Sequence, residues 1–192
     1  MLRQGLKIFI LILSFVFISI TRSLALEIYD LRVGAEQGYL VVSCQTGGDL
    51  PEERIDEALR HGVALRLQFK IILTRLRRLF RDKVILEQEV NRLVYYQAVK
   101  NVYLVQYEGA AIVPQRVPTI EEALKEAGKL ENLPLIPLDK LKRQSTYRLK
   151  IKVIIQKEAN PPLPFKIPLK MLHFIFGGGK MESGWESIRF RL

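Results

Sequence analysis

The stretch Val63–Leu73, "VALRLQFKIIL", decides the fold class. Its odd positions, Val63, Leu65, Leu67, Phe69, Ile71 and Leu73, are all apolar, whereas its even positions include Arg66, Gln68 and Lys70. Period two sustained over this length predicts a β-strand with one face buried and the other in water. Tyr147–Ile155, "YRLKIKVII", repeats the pattern, with Tyr147, Leu149, Ile151, Val153 and Ile155 opposite Arg148, Lys150 and Lys152. Both water-facing sides are basic.

Working outward, shorter strands are expected at Glu27–Val33, Gly38–Gln45 and Val102–Tyr107, with a closing strand at Trp185–Leu192. Lys83–Ala98 fits a helical stripe through Leu86, Val90, Leu93 and Gln97. It also fits a strand face through Val84, Leu86, Val90, Val94 and Tyr96, and its β-branched and aromatic content favours the strand. Two helices are signalled. "DLPEERIDEALRHG" carries Asp49 as a candidate N-cap, acids in the first turn and Gly62 beyond the end. "TIEEALKEAGKL" sets Thr119 and Glu122 at capping-box spacing. Pro161–Pro168 reads as a loop or an edge, and Gly177–Gly179 as a bent connection. The whole predicts a mainly β chain: an antiparallel β-sandwich or open barrel-like sheet with two short peripheral α-helices.

The N-terminus bears on compartment. Arg3 and Lys7 precede the apolar run Ile8–Ile20, and Ser23 and Ala25 follow at the spacing a signal peptidase reads. These thirteen residues make a helix of roughly 20 Å, short of the ~30 Å hydrocarbon core. Residues 1–25 are therefore expected to be a cleaved secretory signal, with an uncleaved N-terminal membrane anchor as the alternative. Residues 26–192 are expected to form a single extracytoplasmic domain, in the periplasm or at the outer face of the inner membrane. Cys44 is the single cysteine, so no intramolecular disulfide exists, and its apolar setting predicts a buried thiol. Removing Arg3, Lys7 and Arg22 lowers the formal charge from +10 to +7, which favours anionic surfaces.

The order of these features resembles a known family. A strand pair near the new N-terminus leads to "LPEERIDEALRHGVALRLQFKIIL", a helix stepping into a long strand. "VPTIEEALKEAGKL", a basic alternating strand and the Trp-containing "GWESIRFRL" follow. Together they resemble the bacterial exported family catalogued as domain of unknown function 4390, over most of the mature chain. The resemblance implies no activity. It implies at most a link to envelope signalling, because in several proteobacteria such genes lie beside a membrane sensor kinase of the nitrogen-regulation type. The chain departs from the family pattern at Leu76–Lys83, where arginines replace aromatics, and at "IPLKMLHFIFGGG", which is more apolar and glycine-rich.

Two stretches stand out as candidate contact sites. The first is the run Arg75, Arg77, Arg78, Arg81 and Lys83. The alternation breaks after Leu73, so a bend, bulge or strand end is expected near Arg75. The run reads either as an anion, membrane or partner contact, through guanidinium forks, or as a charged edge that resists aggregation. The second is Met171, Leu172, Phe174 and Phe176, an apolar surplus that one strand face cannot bury. His61 and His173 have no metal-ligand neighbours in sequence, and neither a nucleophile motif nor a phosphate loop is present. No cofactor and no catalytic residue is expected. Nucleic acid is disfavoured by the expected compartment. The functional expectation is a non-enzymatic domain docking to a membrane or envelope protein, with anionic lipid as a possible ligand; the alternative is a lipid- or glycolipid-binding domain with a basic head-group site.

Overall fold

The two alternating stretches lie side by side as paired strands. The computed structural model describes residues 26–109, 113–158 and 180–192, so the expected signal segment, Pro161–Pro168, Gly177–Gly179 and the Met171–Phe176 candidate lie outside the described residues. In chain order the strands are β1 (Leu26–Glu36), β2 (Tyr39–Gly48), β3 (Leu65–Arg75), β4 (Lys83–Gln97), β5 (Val102–Tyr107), β6 (Gln115–Val117), β7 (Lys129–Pro137), β8 (Thr146–Lys157), β9 (Lys180–Glu182) and β10 (Glu186–Arg191). Helix α1 (Glu52–Arg60) follows β2, and α2 (Ile120–Ala127) follows β6.

A three-stranded sheet runs β1-β2-β7, and a seven-stranded sheet runs β10-β8-β3-β4-β5-β6, with β9 also on β8. All pairings are antiparallel. β3 is the spine of the large sheet, paired over its whole length with β4 on one side and β8 on the other. Leu65, Leu67, Phe69, Ile71 and Leu73 are each at most 1% exposed. Full burial of such side chains stabilises by about 1.5–3 kcal/mol apiece, which is why the alternation dictates the strand.

One apolar cluster joins the sheets. Leu40, Val42, Cys44 and Leu130 of the small sheet meet Phe69, Ile71, Val153 and Ile155 of the large one. Both helices are peripheral, and each lays one side on this cluster: Ile55 and Leu59 from α1, Ala123, Leu124 and Ala127 from α2. Thr119 caps α2, its Oγ1 accepting the Glu122 N–H at 3.2 Å. At α1 the expectation is corrected. The N-cap position is Pro51, not Asp49, and no side chain caps it, because proline at the entry already supplies the helical φ. Gln37 and Gly38, at φ 49° and 81°, turn β1 into β2 through the paired left-handed conformation that suits a hairpin's twist.

The ambiguous Lys83–Ala98 segment is a strand. Its expected face does not run straight through, however. Leu73 lies opposite Leu86, but Thr74 lies opposite Val84. The slipped residue turns Val84 away from the core, where it is 54% exposed. Strands β6, β7 and β9 were not anticipated. β6 and β9 are three residues long, and β7 contains Pro134 and Pro137.

Candidate functional site: the basic end of the large sheet

β3 stops at Arg75 and β4 starts at Lys83, so residues 76–82 form the tip of a long hairpin. Its base is tied to β8, where the Leu76 N–H donates to the Thr146 carbonyl at 2.9 Å. Its mouth is closed by the Arg77 N–H donating to Asp82 Oδ1 at 3.2 Å. Between these ties Arg77, Arg78, Leu79, Phe80 and Arg81 stand in solvent. Leu79 is 89% exposed and Phe80 74%. Two large apolar side chains at the most projecting point of a hairpin, with arginines around them, have no folding role among the described residues. They are surface presented to something else.

The topology brings further cations to the same end. Because β10, β8 and β3 are successive strands, Arg189 lies directly opposite Arg148, and Arg148 opposite Thr74. Lys150 is two pairs further along on the same face, opposite Ile72 and Ser187. Arg191 pairs with Thr146 at the strand end. The connection before β8 adds Lys140, Lys142 and Arg143. That connection is pinned by buried Tyr147, whose hydroxyl accepts the Lys142 N–H at 2.7 Å and donates to the Lys142 carbonyl at 3.1 Å. Leu138, Leu141, Arg143 and Leu192 line a cleft of about 730 Å3 beside it.

Electrostatics distinguish this end from the rest of the sheet. Lys70 and Lys152 are directly opposite like charges in mid-sheet, but each has a carboxylate: Glu89 at 3.2 Å from Lys70, and Glu182 beside Lys152. At the far end Arg66 sits between Glu108, at 3.0 Å, and Glu158. At the tip end two more like-charged pairs face each other, Arg75 with Lys83 and Arg148 with Arg189. Among the described residues none of these four, nor Arg77, Arg78 or Arg81, has a carboxylate in ion-pair range. Like charges directly across a ladder are destabilising by a few tenths to about 1 kcal/mol. The sheet thus carries an uncompensated electrostatic cost at one end only.

The chemically reactive side chains elsewhere sit in structural settings. Among the described residues no group of three His, Cys, Asp or Glu side chains could hold a metal ion. Burial pushes the Cys44 thiol up to about 11, against a small opposite pull from Arg92. Ser183 is buried, its Oγ accepting the Val153 N–H at 2.9 Å and donating to the Gly184 carbonyl at 2.8 Å. His61 lies beyond the C-terminus of α1, its Nδ1 2.7 Å from the Glu57 carbonyl. Tyr103 is buried against Tyr96, Tyr107 lies under Arg92, and Trp185 is half-exposed before β10.

The structure keeps the five predicted cations together at one hairpin end. It adds the exposed Leu79 and Phe80. It adds Arg148, Lys150, Arg189 and Arg191, whose alternation was visible but whose neighbours were not.

Fold and site together define a mainly β chain of two antiparallel sheets with a charged, apolar-tipped surface end. The chain belongs to the family described as Domain of unknown function (DUF4390), whose model matches residues 24–189. No curated protein and no solved structure matches it.

Proposed function

We propose that this chain is a non-enzymatic, exported domain that docks on an anionic membrane surface of the envelope through the basic end of its large sheet. The observation that carries the reading is the pair of like-charged cross-strand contacts, Arg75 with Lys83 and Arg148 with Arg189, left without carboxylates beside an exposed Leu79-Phe80 tip. Phosphate groups of lipid would supply the missing negative charge, and guanidinium forks hold them bidentately. Leu79 and Phe80 would enter the boundary between headgroups and acyl chains, as apolar side chains of surface-binding segments do. The core between the sheets is filled by side chains such as Phe69, Ile71 and Val153. That supports contact at the surface over enclosure of a lipid inside the fold.

Each cation near an anionic surface contributes about 1 kcal/mol. Flotation of residues 26–192 with neutral and anionic vesicles, across a salt series, tests the reading. The wild type is expected to float with anionic vesicles only, and less at high salt. Replacing Arg75, Arg77, Arg78 and Arg81 together by alanine is expected to weaken flotation strongly and to leave the remainder less sensitive to salt. A folded wild type that never floats would overturn the membrane reading and turn attention to an acidic envelope protein.

A further inference from the structure

β4 is fifteen residues long. β3 pairs along it from Lys83 to Val94, but β5 covers only Arg92–Gln97 on the other side. Among the described residues Lys83–Val90 has no strand on that second side. The last bond from β5 is the Glu108 N–H donated to the Asn91 carbonyl at 3.1 Å. In an antiparallel ladder alternate residues turn both main-chain groups to the same side. Since the Asn91 carbonyl faces β5, the N–H and C=O of Glu89 and Glu87 face that same side, beyond the reach of β5.

The side chains around this open edge are sorted by face. Leu86, Gln88 and Val90 lie opposite Leu73, Ile71 and Phe69, on the core side; Leu86 and Val90 are half-buried against the apolar cluster, with the Gln88 amide between them. Glu87 and Glu89 lie opposite Ile72 and Lys70, on the water side. Glu87 is exposed and has no cation in ion-pair range among the described residues, and Glu89 has Lys70 alone. The register slip falls outside Leu86–Val90, which also holds no proline. Among the described residues the usual devices that close an edge are therefore missing, except charge.

We propose that the Leu86–Val90 edge receives an extended segment of a partner polypeptide as an additional antiparallel strand, and that this segment alternates basic and apolar residues. Directly opposed residues share a face. The partner's basic residues would meet Glu87 and Glu89, while its intervening apolar residues would extend the core beside Leu86 and Val90. The same two carboxylates repel an acidic strand, so they select the partner as well as hold it. The inference is independent of the membrane reading, because none of its residues belongs to the arginine tip.

The test uses the full chain in neutral detergent, isotopically labelled, with a blocked octapeptide alternating lysine and valine as probe. Amide shifts centred on Glu87 and Glu89 are expected. Charge reversal by Glu87→Lys with Glu89→Lys should weaken binding by about tenfold, from two inverted cross-strand pairs. Glu87→Pro should abolish it, because the proline removes an N–H that points away from β3 and leaves the β3–β4 ladder intact. Should that variant fail to fold, a peptide N-methylated on its ladder face asks the same question of the unchanged chain. It keeps the charges and is expected not to bind. The proposal is overturned if the probe shifts neither glutamate amide, if the N-methylated peptide binds as well as the probe, or if a glutamate-for-lysine peptide does.

Discussion

Arg92 is a buried cation, 7% exposed, on the core side of β4. It has no carboxylate in ion-pair range among the described residues, and its guanidinium ends the helix α2. One terminal nitrogen donates to the carbonyls of Glu126, at 2.9 Å, and Ala127, at 3.1 Å, and also to Lys129. The first two are carbonyls of the last helical turn, at the negative end of its dipole, and the third opens β7. The rings of Tyr107 and Phe69 cover the group at 4.6 and 5.6 Å. Burial lowers its pKa, with Tyr107 and Glu126 pulling the other way, so the charge is held at a cost that these bonds offset. Arg92→Met should leave the buried carbonyls without a donor and destabilise by about 3 kcal/mol, the scale of breaking a buried charged hydrogen-bond set. Arg92→Lys should lose less, since an ammonium keeps the charge but cannot cover both rings. Urea unfolding of the two variants checks the order; equal stability of Arg92→Met and wild type would remove Arg92 from the account. None of this was legible in the sequence, where Arg92 appears as one more polar residue between Asn91 and Leu93. A buried arginine is recognised by what three separate elements place around it.

At the scale of elements, legibility followed the wetness of one face. β3 and β8 were readable because water keeps Arg66, Lys70, Arg148 and Lys150 on one side while the core takes the other. β7 was not, because among the described residues it pairs only with β2, through two register slips, and its Pro134 and Pro137 read as breakers. An edge strand tolerates proline that a central strand would not. The arginine run was legible as charge, and the break near Arg75 as a strand end. Its enlargement by Arg148 and Arg189 was not, since it depends on β10, β8 and β3 being neighbours. The hairpin tip itself allows a separation of contributions. Leu79→Ser with Phe80→Ser should leave folding stability within about 0.5 kcal/mol, as expected for exposed positions. The same pair should weaken vesicle binding at every salt concentration without changing its salt dependence, because the arginines remain. The arginine-to-alanine variant should instead flatten the salt dependence. Identical salt responses from the two variants would mean that the tip acts as one undivided charge patch, with no insertion of Leu79 and Phe80.

At the scale of the whole molecule, protons report on the shared core. Cys44 on β2, Tyr103 on β5 facing α1, and Tyr107 on β5 facing α2 are all held protonated beyond their ordinary range. Burial pushes Cys44 up to about 11, and burial with a bond to Asp56 or Glu126 pushes Tyr103 and Tyr107 up to about 12. The unfolded chain releases these protons first as pH rises. Their contribution to stability is therefore complete below about pH 9 and is lost between the unfolded and the folded values. On the acid side Glu182, held by Lys152 and Lys180, is depressed to about 2. Its contribution is present above its ordinary value of about 4.5 and fades as pH falls through the interval down to about 2. Stability from urea unfolding should therefore hold level from about pH 5 to 8 and decline on either side. The alkaline limb should begin near pH 9 with Cys44 and steepen as the tyrosines follow. Cys44→Ala should delay the onset of that limb by about one pH unit, because the tyrosines titrate above the thiol. Since the thiol lies in the small sheet and the two tyrosines in the large one, around one apolar cluster, fluorescence and circular dichroism should report the same midpoint at each pH. Separate midpoints for the two probes would divide the small sheet from the large one, and a limb unchanged by Cys44→Ala would place its cause elsewhere.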